Sequence, residues 1–566
     1  MKKIHFYTPF IALLLGLGTT ISSCGDSFLD EKMYSSYGTG NTDERSIETQ
    51  LIGLHRTYAG LWGVSSWQGF LSCWQIGTDV ASAGAVQGVE TPFYQYANLN
   101  AENSAVGWLW QECYVFINNA NIIIAAVGDS NPAAAAEARF FRAYAYNMLV
   151  TFWGDVPKIT ESLTVPRTDF TRDPVSSIDE LIREDLEYAM ANCRDMTSTA
   201  DEYESRINKD MARQLAAEAY LRMGDYPAAE AAATAIINNT AYKLVEARYG
   251  SLAEAGDYYH DMFKWGKQRR SQGNTEAIWT FQLEYNRDVA GGTIDNPQHR
   301  RVWQPAYHKW SGMVNADSLG GRGNGRLRLS NFVKYGLYQE GDIRNSNYNI
   351  RRYTFYNKPG WSETAYINSR GFRVAAGSAD IAQTITLQTG DRVIPFEADS
   401  LEVWYPHPTK WGSYDATDDF GYALVKDWPV MRLGETYLLR AEARLRQNNP
   451  GGAAADINML RDRAFKDARI AKGDNTYGSV SASDMTIDFI LDERVRELIS
   501  EENRRMTLIR TGKLAERILL NGDATPAAPA DKVITGFQEF NTMLPIPLTD
   551  IQRNVDAELT QNPGYN

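Results

Sequence analysis

Residues Asn208 to Asn238 read NKDMARQLAAEAYLRMGDYPAAEAAATAIIN. Two helical runs flank Gly224 and Asp225. Asn208 is a good N-cap, because its side-chain oxygen can take free N–H groups of the first turn. Gly224 suits the left-handed position that ends a helix. Pro227 suits the first turn of the next helix, where its missing N–H costs nothing. Ala216, Ala219, Ala229 and Ala233 put small side chains where two antiparallel helices must approach closely.

A second stretch has the same plan: Met431 to Phe465, MRLGETYLLRAEARLRQNNPGGAAADINMLRDRAF, with Asn449-Pro450-Gly451-Gly452 as its turn. Both pairs are similar to tetratricopeptide repeats. They stand about 220 residues apart, so no tandem solenoid is expected and an insertion must split them. Upstream, Trp108 to Val127 has Leu109, Cys113, Phe116, Ile117 and Ile124 at helical spacing. Pro132 opens a further helix that Gly154 and Pro157 stop. Between the pairs the composition changes to GGRGNGRLRL, Pro305, Pro359, Pro406, Pro408 and the alternating run Ala382 to Leu387, which predicts loops and short strands. The reading is a mainly α chain: an N-terminal helical region over 43–285, a loop-rich insertion over 286–425 and a C-terminal helical region over 426–566. A long irregular excursion from a helical scaffold is where function is expected.

The chain begins with an address. Lys2 and Lys3 precede the apolar run Phe10 to Ile21, 12 residues long. Such a helix spans about 18 Å, short of the roughly 30 Å of a bilayer core, so it reads as a signal peptide over 1–23. Ser22-Ser23-Cys24 resembles a bacterial lipobox, which makes Cys24 the lipidation site and 24–42 a tether. The next residues are GDSFLD, and the early Asp26 resembles a surface-export signal of Bacteroidetes lipoproteins. No later apolar run is long enough to span a membrane, so the acyl chains must anchor the protein.

The 566 residues carry 57 Lys+Arg against 70 Asp+Glu, a formal charge of −13. That balance argues against nucleic acid as a partner. Four cysteines exclude a disulfide framework, and Cys73, Cys113 and Cys193 read as buried small hydrophobes. His5, His55, His260, His299, His308 and His407 form no HExxH or other metal-ligand spacing. Gly320 to Gly325, GGRGNG, lacks the GK[ST] ending of a phosphate loop, and no GxSxG is present. No catalytic residue, metal or cofactor is expected, and the protein is read as a binder, not an enzyme.

Four stretches, in order along the chain, resemble the SusD/RagB family of nutrient-binding outer-membrane lipoproteins. They are the lipobox with Phe28-Leu29-Asp30; the segment Asp427 to Ala443, DWPVMRLGETYLLRAEA; Ile490-Leu491-Asp492-Glu493-Arg494 with Glu497-Leu498, Glu501, Arg504 and Leu508 to Gly512; and Leu544-Pro545-Ile546-Pro547 with Gln561 to Tyr565. Gly341-Asp342-Ile343-Arg344 also matches. Gly434 departs from the pattern, where alanine is commoner. The charges of these stretches are read as structural pairs, since an unpaired buried charge is expensive. The Leu544 segment is read as a strap across the helices.

The resemblance implies a SusD-like helical scaffold that sits on a SusC-like TonB-dependent transporter and delivers oligosaccharides to it. Sugar C–H faces stack on aromatic rings, and sugar hydroxyls bond amides, carboxylates and guanidinium groups. Arg301 to Trp310, RVWQPAYHKW, is aromatic-dense, and Pro305 predicts a loop there. Trp303 and Trp310 are the expected platforms, with Tyr307 beside them and Arg301, Gln304 and Asp79 as polar partners. Trp67 and Tyr94 are further candidates on early loops. Trp62, Trp108 and Trp110 read as core. Two other readings stand: a peptide binder of the RagB type with the same partner, and a protein-binding helical scaffold.

Overall fold

The computed structural model describes residues 44–62, 68–163, 165–196, 204–283, 298–396, 404–412, 426–521 and 534–565. The signal peptide, Cys24, the tether and Trp67 lie outside these residues.

Eight long helices pack each on the next. They are α1 (Glu44–Trp62), α2 (Ser104–Val127), α3 (Pro132–Trp153), α4 (Val175–Asn192), α5 (Lys209–Met223), α6 (Tyr226–Ile237), α7 (Leu433–Arg446) and α8 (Pro450–Ala464). The α5–α6 hairpin is built as its sequence dictates. Asn208 Oδ1 accepts from the N–H of Asp210 and Met211 at 2.9 and 3.0 Å, Gly224 turns the chain at φ +79°, and Asp225 caps α6. After more than 180 residues the chain returns and lays α7 directly against α6. The two repeat-like pairs are thus split in sequence and adjacent in space. No described helix is long and apolar enough to cross a membrane.

The helix expected from about Met431 starts at Leu433 instead, because Trp428–Arg432 is a strand. It pairs antiparallel with Ala277–Phe281 across the root of the insertion. The carboxyl-terminal strap is present. The Leu544 N–H donates to Phe152 O at 2.7 Å, the Trp153 indole N–H donates to Pro545 O at 2.8 Å, and Leu544 and Ile546 are buried. Cys73, Cys113 and Cys193 are free and buried.

The charges of the family stretches pair inside the scaffold. Helix α9 (Ile487–Leu498) supplies Glu493 and Glu497. Arg344 Nη1 lies 2.8 Å from Glu493 and 3.1 Å from Glu497, and its Nη2 lies 2.8 Å from Asp342. Glu497 also meets Arg432 and Arg463, and Arg463 meets Glu276. Around this knot Arg440 pairs with Asp456, Arg494 with Glu435, and Arg510 with Glu442. A Cβ at position 434 would stand 2.6 Å from Arg432 Nη1 and 2.8 Å from Glu497 Oε1. Gly434 therefore departs from alanine because the ion pair lies against the helix backbone.

The insertion carries little regular structure. Its clearest element is a three-stranded antiparallel sheet of Ser362–Asn368 flanked by Arg373–Val374 and Ile381–Gln388. A small core of its own, with Tyr307, Met313, Tyr356, Ile367, Leu387 and Trp404, packs beneath that sheet.

Candidate functional site

Most of the residues chosen as binding candidates are inside. Trp303 is 2% exposed and belongs to the main core. It ends a short helix, His299–Trp303, that Pro305 follows, so the expected loop is partly helical. Tyr307 is buried and its hydroxyl donates to Gly321 O at 2.6 Å. The Gln304 amide donates to Leu319 O and Gly321 O at 2.6 and 2.7 Å, so it braces the glycine-rich turn from within. Arg301 and Tyr94 are buried. Asp79 is fully buried between Arg504, at 2.6 Å, and Arg517, at 2.8 Å. These six do not present a stacking surface. The aromatic density of 301–310 reflects the seam between insertion and scaffold, where large rings fill core volume. Trp310 is half-buried against the insertion's own core. Of the expected core tryptophans, Trp110 is buried and Trp62 and Trp108 are partly buried against the core.

Trp303 does line a cavity, together with Trp62, Trp74, His299, Trp411 and Trp428. Its volume is about 160 Å³, below the roughly 300 Å³ at which ligand pockets begin. A groove of about 400 Å³ runs between α2, the 157–170 segment and the strap. Its walls include Tyr114, Ile117, Leu163 and Phe170. Among the described residues no group of three or more His, Cys, Asp or Glu is placed to hold a metal.

The exposed rings gather elsewhere on the insertion, in Arg351-Arg352-Tyr353-Thr354-Phe355-Tyr356. Extended backbone sends alternate side chains to opposite faces. Thr354 and Tyr356 go inward, while Tyr353 and Phe355 point out and are 39% and 49% exposed. Asn347 fixes the start of this run: its Oδ1 accepts from the N–H of Arg352 at 2.9 Å and of Tyr353 at 3.1 Å. The two rings stand edge to face with centroids 6.0 Å apart. Phe355 pairs with Arg392 in an isolated antiparallel bridge, and the Arg392 guanidinium lies 4.8 Å from the Tyr353 centroid. Arg352 donates from Nε and Nη2 to Asn345 Oδ1 at 3.0 and 2.6 Å. Burial lowers the Arg352 pKa, against weaker raising contributions from Tyr338 and Tyr335. Tyr335 and Tyr348 are exposed as well. The face therefore combines upright rings with guanidinium and amide groups.

This face leaves only a faint trace in the sequence: three of the four residues 353–356 carry rings, and only the fold turns Tyr356 inward while Tyr353 and Phe355 face out.

Comparison with known proteins follows the same lines. A model of the SusD family matches residues 275–565, and a model described as starch-binding associating with outer membrane matches 27–222. SusD-like protein P25 of Formosa agariphila is 25% identical over 515 residues, covering 86% of each chain. Starch-binding protein SusD of Bacteroides thetaiotaomicron is 34% identical over 139 residues, which is 25% of this chain and 22% of that one. The fold is shared with surface glycan-binding protein A from Bacteroides fluxus, at TM-score 0.66 and 19% identity, covering 92% of this chain and all of that one. It is also shared with the B. thetaiotaomicron surface glycan-binding protein A solved with laminarihexaose, at TM-score 0.62 and 19% identity, covering 92% and 99%. With one model spanning more than half of its length, the chain belongs to the SusD family.

Proposed function

We propose that this protein captures glycans at the outer surface of the outer membrane and passes oligosaccharides to a SusC-like TonB-dependent transporter. It is held there by lipid on Cys24, with 24–42 as the tether, and it performs no catalysis. The observation that carries this reading is the ring pair Tyr353 and Phe355, exposed beside Arg352, Arg392, Asn345 and Asn347. Rings take the C–H faces of sugars, and the fixed polar groups take hydroxyls. Trp310, half-exposed on the same insertion, is the one described residue of the earlier candidates that keeps ring surface for this role. Starch-binding protein SusD and the surface glycan-binding protein A solved with laminarihexaose, both of B. thetaiotaomicron, agree with this chemistry.

A glycan array probed with the purified protein tests the binding. Retention of at least one polysaccharide, lost when Tyr353 and Phe355 are both changed to alanine, supports the reading. An array with no retained glycan, set against binding of peptides, would move the protein to the peptide-binding branch. Purification in gentle detergent from the native membrane should bring a large barrel protein with it, and recovery of the lipoprotein alone would count against the transporter partnership.

A further inference from the structure

The insertion, 286–425, holds 16 Lys+Arg and 14 Asp+Glu, but 14 of those cations and only 6 of those acids fall within 298–396. Of the six acids, Asp342 is held by Arg344 and Glu363 by Arg373, while Asp391 accepts the Gln388 N–H at 2.8 Å. Around the exposed rings the cations lack such partners. Arg352 meets only the Asn345 amide oxygen, Arg392 only the face of Tyr353, and the buried Nη1 of Arg351 has no partner. Among the described residues none of the three meets a carboxylate. In the scaffold the opposite holds: Arg344, Arg432 and Arg463 each face carboxylates. A half-buried guanidinium without an anion is costly, and its forked donors fit planar or tetrahedral oxyanions. On the same insertion, burial holds His308 down to about 4, with Arg322, Lys309 and Arg301 adding to the effect.

We propose that the ring face of the insertion binds an acidic glycan, one bearing sulfate esters or uronate carboxylates, with Arg392 and Arg352 taking the anionic groups and Tyr353 and Phe355 the sugar faces. The proposal rests on the glycan-capture reading and narrows it to a substrate class.

The acylated full chain in detergent is titrated calorimetrically with matched pairs: carrageenan against its desulfated form, and polygalacturonate against its methyl ester. Laminarin serves as a neutral reference. One charged form should bind at least about tenfold tighter than its uncharged partner, and the pair that shows this distinguishes sulfate from carboxylate. That affinity should fall by about tenfold or more between about 50 and about 500 mM NaCl, because the arginines are near the surface. Arg392→Ala and Arg352→Ala should each lose about tenfold for the charged form while melting as the parent does, and Arg392→Lys should keep part of the binding. Equal binding of charged and uncharged forms, or unchanged affinity in both arginine variants, overturns the acidic-glycan proposal and leaves glycan capture standing. Failure to bind any polysaccharide of the panel, charged or neutral, overturns both.

Discussion

In the helical scaffold, Arg344, Arg432 and Arg463 are buried and each meets carboxylates from other parts of the chain. In the insertion, Arg352 and Arg392 sit at or near the surface against an amide and a ring. The residue type is the same and the partner differs. Where the partner is a carboxylate from a distant segment, the arginine ties the fold together: Arg344 joins the insertion to α9. Where no carboxylate among the described residues meets the arginine, its charge is open to an anion from outside the chain. The same contrast holds for rings. Trp303 packs in the main core, and Phe355 is half in water.

The contrast can be broken first at the knot. Glu497→Gln removes a buried carboxylate shared by three arginines. Leaving buried charges uncompensated should cost about 3–5 kcal/mol, read as a lower urea midpoint. A loss under about 1 kcal/mol would mean the network is not what joins insertion to scaffold. Trp303→Ala should cost about 3–5 kcal/mol as well, with a melting temperature down by many degrees, because it empties core volume.

Acid sharpens the comparison next. Burial pushes Glu493 up, but Arg344, Arg496 and Arg461 outweigh it and hold it near 2. Glu502 is held near 2 in the same way by Arg494 and Arg504. Carboxylates depressed in the fold stabilise it above their ordinary range, about 4.5, and that contribution is lost as pH falls toward 2. Burial holds His299 at about 3, and holds His407 there with help from Arg351. The unfolded chain takes protons on these rings below about pH 6.5 while the folded chain does not, so their effect starts higher and has the same sign. Stability should therefore fall by a few kcal/mol from pH 7 to 4, measured by urea midpoints. A flat profile would contradict the buried pairing.

A smaller effect tests the repeat-like hairpin. Asn208→Ala removes the cap of α5 and should cost about 1 kcal/mol by chemical denaturation.

The helical half of this fold was readable because its signals are local. Asn208, Gly224, Asp225 and Pro227 each act within a turn, and the structure places each where its chemistry predicts. The pairing of family charges was readable as a rule, since buried charges need partners, although the particular partners were not. That α7 would return to α6 across the insertion could not be read, because nothing local to either helix names its neighbour. The site was the least legible part. Asp79 resembles a loop acid beside the aromatic stretch Trp62 to Trp74, and only the fold brings Arg504 and Arg517, more than 400 residues away, onto it. Trp303 and Phe355 are both aromatic residues near prolines or turns. Burial separates them, and burial is set by the tertiary structure.

The smallest expected change in stability carries the central claim. Tyr353→Ala/Phe355→Ala trims rings that are about half in water and outside the main core, so the melting temperature should stay close to the parent's, a difference within about 1 kcal/mol. The same double variant, titrated with the best polysaccharide from the array, should lose roughly 2 kcal/mol or more of binding, as exposed aromatic anchors do. Nearly unchanged melting with affinity lost is the predicted result. Unchanged affinity in a protein that still binds glycan would contradict it and place the ligand away from this face.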